Sequence, residues 1–399
     1  MIRSLYLYTK YLAKMALNGN LGYILYDMGR YRNGRKAFTT IPTTGSSDRE
    51  EALRQVINWL LRAQERMRDD GFGSYHAALG WGASYPETTG YIIPTLLDFS
   101  IKFKDERAFT AAVMAGDFLL KIQKPSGGWQ GGRIGENKPE IVFNTGQVLR
   151  GMLALHVSCK DDKYLDSAVK AADWLCQVQH PEGYWKEHAL MNLPRVYDSF
   201  VDAPLLRMHR LTGDERYKEA ALKNLHWIID KKMYPNGWFE DCDNTVKRND
   251  TPILHTIAYT LDGLLESDDY IQDGAFRKAA NAGADALKHS FLRDGKFYGR
   301  YDRNWKGSEY LLCTGAAQMA TVWMRLYRLT EDRSYLDTAT RALDILIFIQ
   351  DRGKKERKES AGALPGSYPI WGRYEPFAFP NWASKFFADA LMTRAEIND

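Results

Sequence analysis

The stretch RAFTAAVMAGDFLLKIQKPSGGW, residues 107–129, decides the fold. Phe109, Ala112, Val113, Gly116, Leu119 and Leu120 recur at helical spacing and form one apolar stripe, so this helix keeps one wet face. Gly127 and Gly128 stop it, because glycine accepts the left-handed backbone at a helix end, and Trp129 can fold back over the turn. Beyond a polar loop, Asn144 or Thr145 can cap a second helix. That helix carries Val148, Leu149, Met152, Leu153 and Leu155 around most of its circumference and therefore belongs inside.

The same unit recurs roughly every 55 to 60 residues. Helix pairs are expected over 50–67 and 88–103, 164–179 and 197–211, 215–232 and 252–266, 275–291 and 310–329, and 335–350 and 381–395. DDGFGSY, PEGYW, PNGWF and DGKFYG mark the turns between partners. Six such pairs bury a continuous core if they curve and close, with one-faced helices outside and apolar helices inside. The predicted fold is all-α: an (α/α)6 toroid of six helical hairpins over 50–399, with an N-terminal helical extension over 1–49. An open helical solenoid is the alternative. The last unit holds a loop of roughly 30 residues, long enough to be functional. It reads as charged and mobile from Lys354 to Ser360, then as Gly-, Pro- and aromatic-rich up to PNWA. It suits either a cover for the cleft or a wrap that closes the ring.

The chain has 54 basic and 50 acidic residues in 399, without the basic excess of a nucleic-acid binder. Cys159, Cys176, Cys242 and Cys313 form no CxxC pair and read as thiols of a reducing compartment, hence a cytoplasmic protein. Lys10 interrupts the apolar residues of 1–20, so this segment suits neither a signal peptide nor a spanning helix. It reads as a helix packed on the toroid, and its Tyr and Lys mixture also suits a membrane surface. There is no glycine-rich phosphate loop and no metal-ligand spacing, so neither cofactor nor metal is expected. Nothing specifies an oligomeric state.

In a toroid of this kind, the loops after the outer helices and the first turns of the inner helices share one end, where a cleft forms. Trp129, Trp185, Trp238, Trp371 and Tyr374 fall there, and flat aromatic faces suit the apolar faces of sugars. Directly after turn glycines, Trp129, Trp185 and Trp238 can equally staple their hairpins. Glu87, Asp198, Asp302, Glu309 and Glu375 supply acids, and Arg133, Arg300 and Arg373 supply cations. Two carboxylates facing across a cleft can hydrolyse a glycosidic bond, and Asp198 with Asp302 or Glu309 could form such a pair. A Tyr or His beside an arginine can instead remove the C5 proton of a uronate. Tyr197, His255, Tyr301 and Tyr310 are candidates, with Arg300 or Arg373 as neutraliser. The expected catalytic set is Asp198, Asp302, Glu309, Tyr301 and His255. The expected substrate contacts are Glu87, Trp129, Arg133, Trp185, Tyr197, Trp238, Arg300, Tyr310, Trp371, Arg373 and Tyr374.

QKPSGGW (123–129) and QHPEGYW (179–185) both fit Q-x3-G-x-W, which resembles the repeat of squalene and terpenoid cyclases. That resemblance implies the toroid. The cyclases' DxDD acid has only DCDN (241–244) here, which lacks the last aspartate. GGWQGGRIGENKPE is similar to the protein prenyltransferase β-subunit, but VFNTG stands where that family's zinc-binding DxC is expected. LHTIAYTLDGLLES, LTGDERY and GSYPIWGRYEPFAFPNWASKFFADAL resemble a group of bacterial toroid proteins labelled prenyltransferase-like or squalene-oxidase-repeat. That group accompanies polysaccharide-biosynthesis genes, and more distant toroids of this kind include six-hairpin glycosidases, lyases and sugar epimerases. The resemblance implies carbohydrate work, and together with the charged, aromatic loops it makes an enzyme that cleaves or modifies an acidic, uronate-containing polysaccharide the leading expectation. Hydrolysis leads lyase and C5-epimerase chemistry because acids outnumber histidines in the loops. A non-catalytic glycan-binding protein of exopolysaccharide assembly and an enzyme of lipid or isoprenoid substrates are the alternatives.

Overall fold

The computed structural model describes residues 2–34, 41–351 and 355–397. Helices α1 (Ile2–Leu17) and α2 (Gly22–Gly34) form an N-terminal hairpin. Six further hairpins follow: α3 (Ser46–Glu65) with α4 (Pro86–Phe103), α5 (Glu106–Ile122) with α6 (Val142–Cys159), α7 (Asp162–Gln177) with α8 (Ser199–Thr212), α9 (Glu215–Trp227) with α10 (Leu254–Ile271), α11 (Ala275–Asp294) with α12 (Cys313–Thr330), and α13 (Arg333–Ile349) with α14 (Asn381–Ala395). The even-numbered helices from α4 to α14 pack on one another in order, and α14 returns to pack on α4 and α3. The ring is closed, which removes the solenoid.

Two kinds of reversal set where a site can lie. From inner to outer helix the chain turns in two or three residues, and in four of these turns Lys104, Lys160, Gly213 and Glu331 take the left-handed conformation. The next residue in each case, Asp105, Asp161, Asp214 or Asp332, caps the following outer helix through its carboxylate. From outer to inner helix the loops are long, and they gather at the opposite end.

The inner helices approach closely because glycine lines their contacts. A Cβ on Gly90 would lie 2.5 Å from Val148 Cα, one on Gly263 2.5 Å from the Ser199 carbonyl carbon, and one on Gly315 2.8 Å from His255 N. The outer helices are clasped by their terminal glutamines. Gln123 Nε2 donates to Gly127 O in its own turn and to Ser167 O on α7. Gln179 does the same to Gly183 O and Ala220 O, and Gln64 to Asp70 O and Ala111 O. Gln350 donates to Gly362 O and to Ala52 O on α3, joining the last hairpin to the first.

The C-terminal loop both covers and closes. Ala378–Phe379 pairs antiparallel with Tyr75–His76 of the first hairpin, and Ser367–Tyr368 pairs with Leu311–Leu312. Part of its charged stretch is tied to the core. Lys355–Ser360 forms a 3₁₀ turn in which buried Arg357 pairs with Asp351 at 3.2 Å and Ser360 Oγ bonds Tyr23 OH at 2.9 Å; Lys354 lies outside the described residues. The α1–α2 hairpin seats on this loop: Tyr8 OH donates to Trp371 O, and Asp27 accepts from Ile370 N. Among the described residues no helix is long and apolar enough to cross a membrane.

Candidate functional site

At the long-loop end, a cavity of about 220 Å³ opens on the toroid axis. The first turns of the inner helices build it. Glu87 and Tyr91 stand one turn apart on α4, and His255 and Tyr259 one turn apart on α10. Phe143 and Asn144 come from the start of α6, Tyr197 from the 3₁₀ turn before α8, and Trp382 from α14. The covering loop adds Tyr374 and Glu375, and Trp382 Nε1 donates to Tyr374 OH at 2.9 Å. Glu375 holds a left-handed backbone (φ 47°), a conformation rare outside glycine that is retained where a side chain must be aimed.

Burial acts on both carboxyls of the cavity. Burial pushes Glu87 up to about 7, against a hydrogen bond from Tyr85 that favours its ionised form. Burial also raises Glu375, and the Arg133 guanidinium opposes that rise. Burial depresses His255 to about 4, so its imidazole is neutral at neutral pH. His255 Nδ1 bonds Gln318 Oε1 at 2.7 Å. With the amide oxygen facing the ring, Nδ1 carries the proton and Nε2 keeps its lone pair for the cavity, whereas the flipped amide selects the other tautomer.

The structure brings Glu87, Tyr197, His255 and Tyr374 together and sets Arg133 close enough to act on Glu375. The other expected site residues lie elsewhere. Trp129 and Trp185 are fully buried, their indoles donating to Leu119 O and Leu175 O of their own outer helices, so they are staples. Trp238 is buried, its indole reaching Tyr301 O. Tyr301 is itself fully buried, its hydroxyl accepting from Tyr298 N. Asp302 closes a tight turn by accepting from Asn304 N and Lys306 N. Glu309 is held by Arg248 and Arg373 at 3.1 Å each and by Arg300 at 3.5 Å. Arg300 donates to Asp243 and Thr251 O, and that buried pairing withdraws it from the cavity. Arg373 stays exposed, and Tyr310 packs edge-on to Tyr31 outside. Trp371 rests against the same Tyr31. Asp198 is buried in the wall behind Tyr197, pushed up to about 8 by burial, with its neighbour Asp202 bound by Asn224.

Tyr91, Tyr259 and Trp382 escaped sequence reading because a lone aromatic on an apolar helix reads as core. The signal was the spacing: Glu87 with Tyr91 and His255 with Tyr259 are each a polar residue followed one turn later by tyrosine. Among the described residues no group of three or more His, Cys, Asp or Glu side chains is placed to hold a metal ion.

Comparison with known proteins follows this geometry. Residues 36–193 match the squalene-hopene cyclase C-terminal domain family. The squalene–hopene cyclase of Alicyclobacillus acidocaldarius is 24% identical over 331 residues, covering 76% of this chain and 46% of the cyclase. The chain thus spans less than half the length of that curated relative. Among solved structures, an unsaturated glucuronyl hydrolase specific for heparin superposes with a TM-score of 0.71 at 15% identity, over 88% of this chain and 98% of that one. A sugar epimerase from a ruminal bacterium gives 0.69 at 13% identity, over 89% and 100%. The unsaturated glucuronyl hydrolase of a Bacillus species, responsible for glycosaminoglycan degradation, gives 0.68 at 14%, over 86% and 96%. The chain shares their fold.

Proposed function

We propose that this protein is a carbohydrate-active enzyme that hydrolyses an acidic saccharide, taking one terminal sugar ring into the axial cavity. The observation that carries the reading is the pair Glu87 and Glu375, presented from the ring and from the covering loop into one aromatic-walled space. Glu87, raised by burial with no cation opposing the rise, is the general acid, and Glu375, opposed by Arg133, is the carboxylate partner. Two carboxyls in different surroundings, one beside a cation and one not, can divide the acid and base roles. With Glu87 protonated and Arg133 nearby, a uronate carboxylate meets little repulsion. The glucuronyl hydrolases among the structural neighbours support the acidic sugar. The cavity is equal to roughly seven waters' share of liquid volume, which suits a monosaccharide better than a polyprenyl chain.

One observation favours a second reading. Neutral His255, with Nδ1–H held by Gln318, is set to accept a proton at Nε2, as lyase or epimerase chemistry requires. Mass spectrometry of uronate-containing oligosaccharides incubated in heavy water separates the two. New ends that gain water, lost in Glu87→Gln and Glu375→Gln, are expected. An unsaturated end, or intact chains carrying deuterium and dependent on His255, would replace hydrolysis with the second reading. Intact chains without deuterium across a broad panel would sink both and leave a glycan-binding protein.

We also propose peripheral membrane contact through the N-terminal hairpin. Leu21, Leu25 and Met28 stand exposed at i, i+4 and i+7, Leu17 is 86% exposed beside them, and Lys10 and Lys14 are exposed on α1. An apolar face flanked by cations suits an anionic lipid surface. Co-sedimentation with phosphatidylglycerol vesicles, lost in Leu21→Glu/Leu25→Glu, is the expected result; equal recovery of both proteins in the supernatant would refute it.

A further inference from the structure

A second cavity lies on the same axis at the opposite end of the ring. It has a volume of about 360 Å³, and all six inner helices line it. An aromatic partition separates it from the first: Tyr91 and Tyr259 on the cleft side meet Phe386 on the far side, with ring centroids 5.4 and 5.5 Å apart, and Phe200 meets Tyr259 at 4.9 Å. A polar link crosses the partition. Gln318 lines the far cavity, and its Oε1 bonds His255 Nδ1, which lines the near one.

Most charges in the far cavity cancel in pairs. Arg150 meets Glu266 at 2.5 Å, Arg325 meets Asp262 at 3.2 Å, Lys385 meets Asp389 at 2.5 Å and Arg328 meets Glu396 at 2.8 Å. What remains is one carboxylate, Asp98, one cation, Arg207, and several buried donors. Gln318 is 1% exposed and its Nε2 has no partner among the described residues; Thr321 Oγ and Arg150 Nε are likewise unpartnered. Arg207 makes no ion pair within 4 Å among the described residues and acts at longer range on the Asp98 carboxylate. Gln318 sits at the floor and Arg328 ten residues further along the same helix at the rim, ~15 Å away at 1.5 Å per residue. A buried donor without an acceptor is costly, so this pattern calls for an acceptor-rich occupant.

We propose that the far cavity is a second ligand site for a small hydroxylated carboxylate, of the acidic-monosaccharide class. Its hydroxyls accept from Gln318 and Thr321, and its carboxylate pairs with Arg207. An occupant on Gln318 Nε2 fixes the amide with Oε1 towards His255. The far site thereby sets the tautomer of the histidine in the near one, making Gln318 a positioning residue. Binding here is read without turnover, so it stands apart from the chemistry of the near cavity.

The test is calorimetric titration of the full chain with sodium D-glucuronate, with D-glucose as the uncharged comparator. Saturable glucuronate binding is expected to weaken about tenfold or more in Arg207→Ala and in Thr321→Val, the loss of one charged or buried hydrogen bond. It should be largely restored in Arg207→Lys and persist in Tyr374→Phe, which alters only the near cavity. Nitrogen NMR of the histidine side chains should show glucuronate driving His255 into the Nδ1–H form in Tyr374→Phe. Should Arg207→Ala fail to fold, Thr321→Val and Arg207→Lys carry the comparison. The site is overturned if glucuronate does not bind, if glucose binds equally well, or if binding falls in Tyr374→Phe but not in Thr321→Val.

Discussion

Glu87 sits in a wall rich in phenols and rings, and its proton is the most informative single atom of the near cavity. An acid held above its ordinary value keeps its proton longer in the folded chain than in the unfolded one. Its contribution to stability therefore falls as pH rises from 4.5, the ordinary value, to about 7. Glu87→Gln removes that penalty. The variant should match the parent below pH 4.5 and exceed it above pH 7 by on the order of 3 kcal/mol. Urea midpoints at the two pH values check this; a constant offset would show that Glu87 is not perturbed. His255 runs the other way: depressed to about 4, it adds stability as pH rises from there to its ordinary 6.5, and that rise should remain in Glu87→Gln. At this scale the sequence exposed Glu87, His255, Tyr197 and Tyr374. It could not separate them from Asp302 or Glu309, because a turn-capping carboxylate and a cavity carboxylate are the same residue type at similar loop positions.

Between helices, the decisive groups are the smallest. Gly90 on α4 and Gly151 on α6 face each other, and a Cβ on Gly151 would lie 2.4 Å from Gly90 O. Gly90→Ala puts its methyl against Val148 backbone, which cannot swing aside as a side chain can. It should cost about 1–3 kcal/mol through forced separation of the two inner helices, seen as a lower thermal midpoint. An unchanged midpoint would mean that α4 and α6 slide apart freely. The one-faced outer helices and apolar inner helices were plain in the periodicity of units such as 107–129. The glycines were not, because a glycine inside a helix looks like a local weakness until its neighbour across the interface is known.

For the whole molecule, closure is the question, and Gln350 is where it is decided. Its amide joins the turn of the sixth hairpin to Ala52 of the first, fully buried. Gln350→Ala leaves two carbonyls without their donor and should cost about 2–4 kcal/mol. In a closed ring that loss lowers the single unfolding transition of the whole chain. In an open array it would loosen only the terminal hairpins. Hydrogen exchange resolved by helix distinguishes these outcomes, and a loss confined to α13 and α14 would contradict cooperative closure. By itself, the sequence determined that there are six hairpins, which helices lie outside and which end carries the long loops. Those features are written in local periodicity and turn residues, each within one unit of the chain. Only the tertiary structure decided that Glu87, His255 and Glu375 share one space, that Arg300 and Glu309 are spent on structural pairs, and that Gln318 links two cavities. These depend on which side chains meet across the ring axis, and residues from separate hairpins carry no sequence spacing that could announce the meeting.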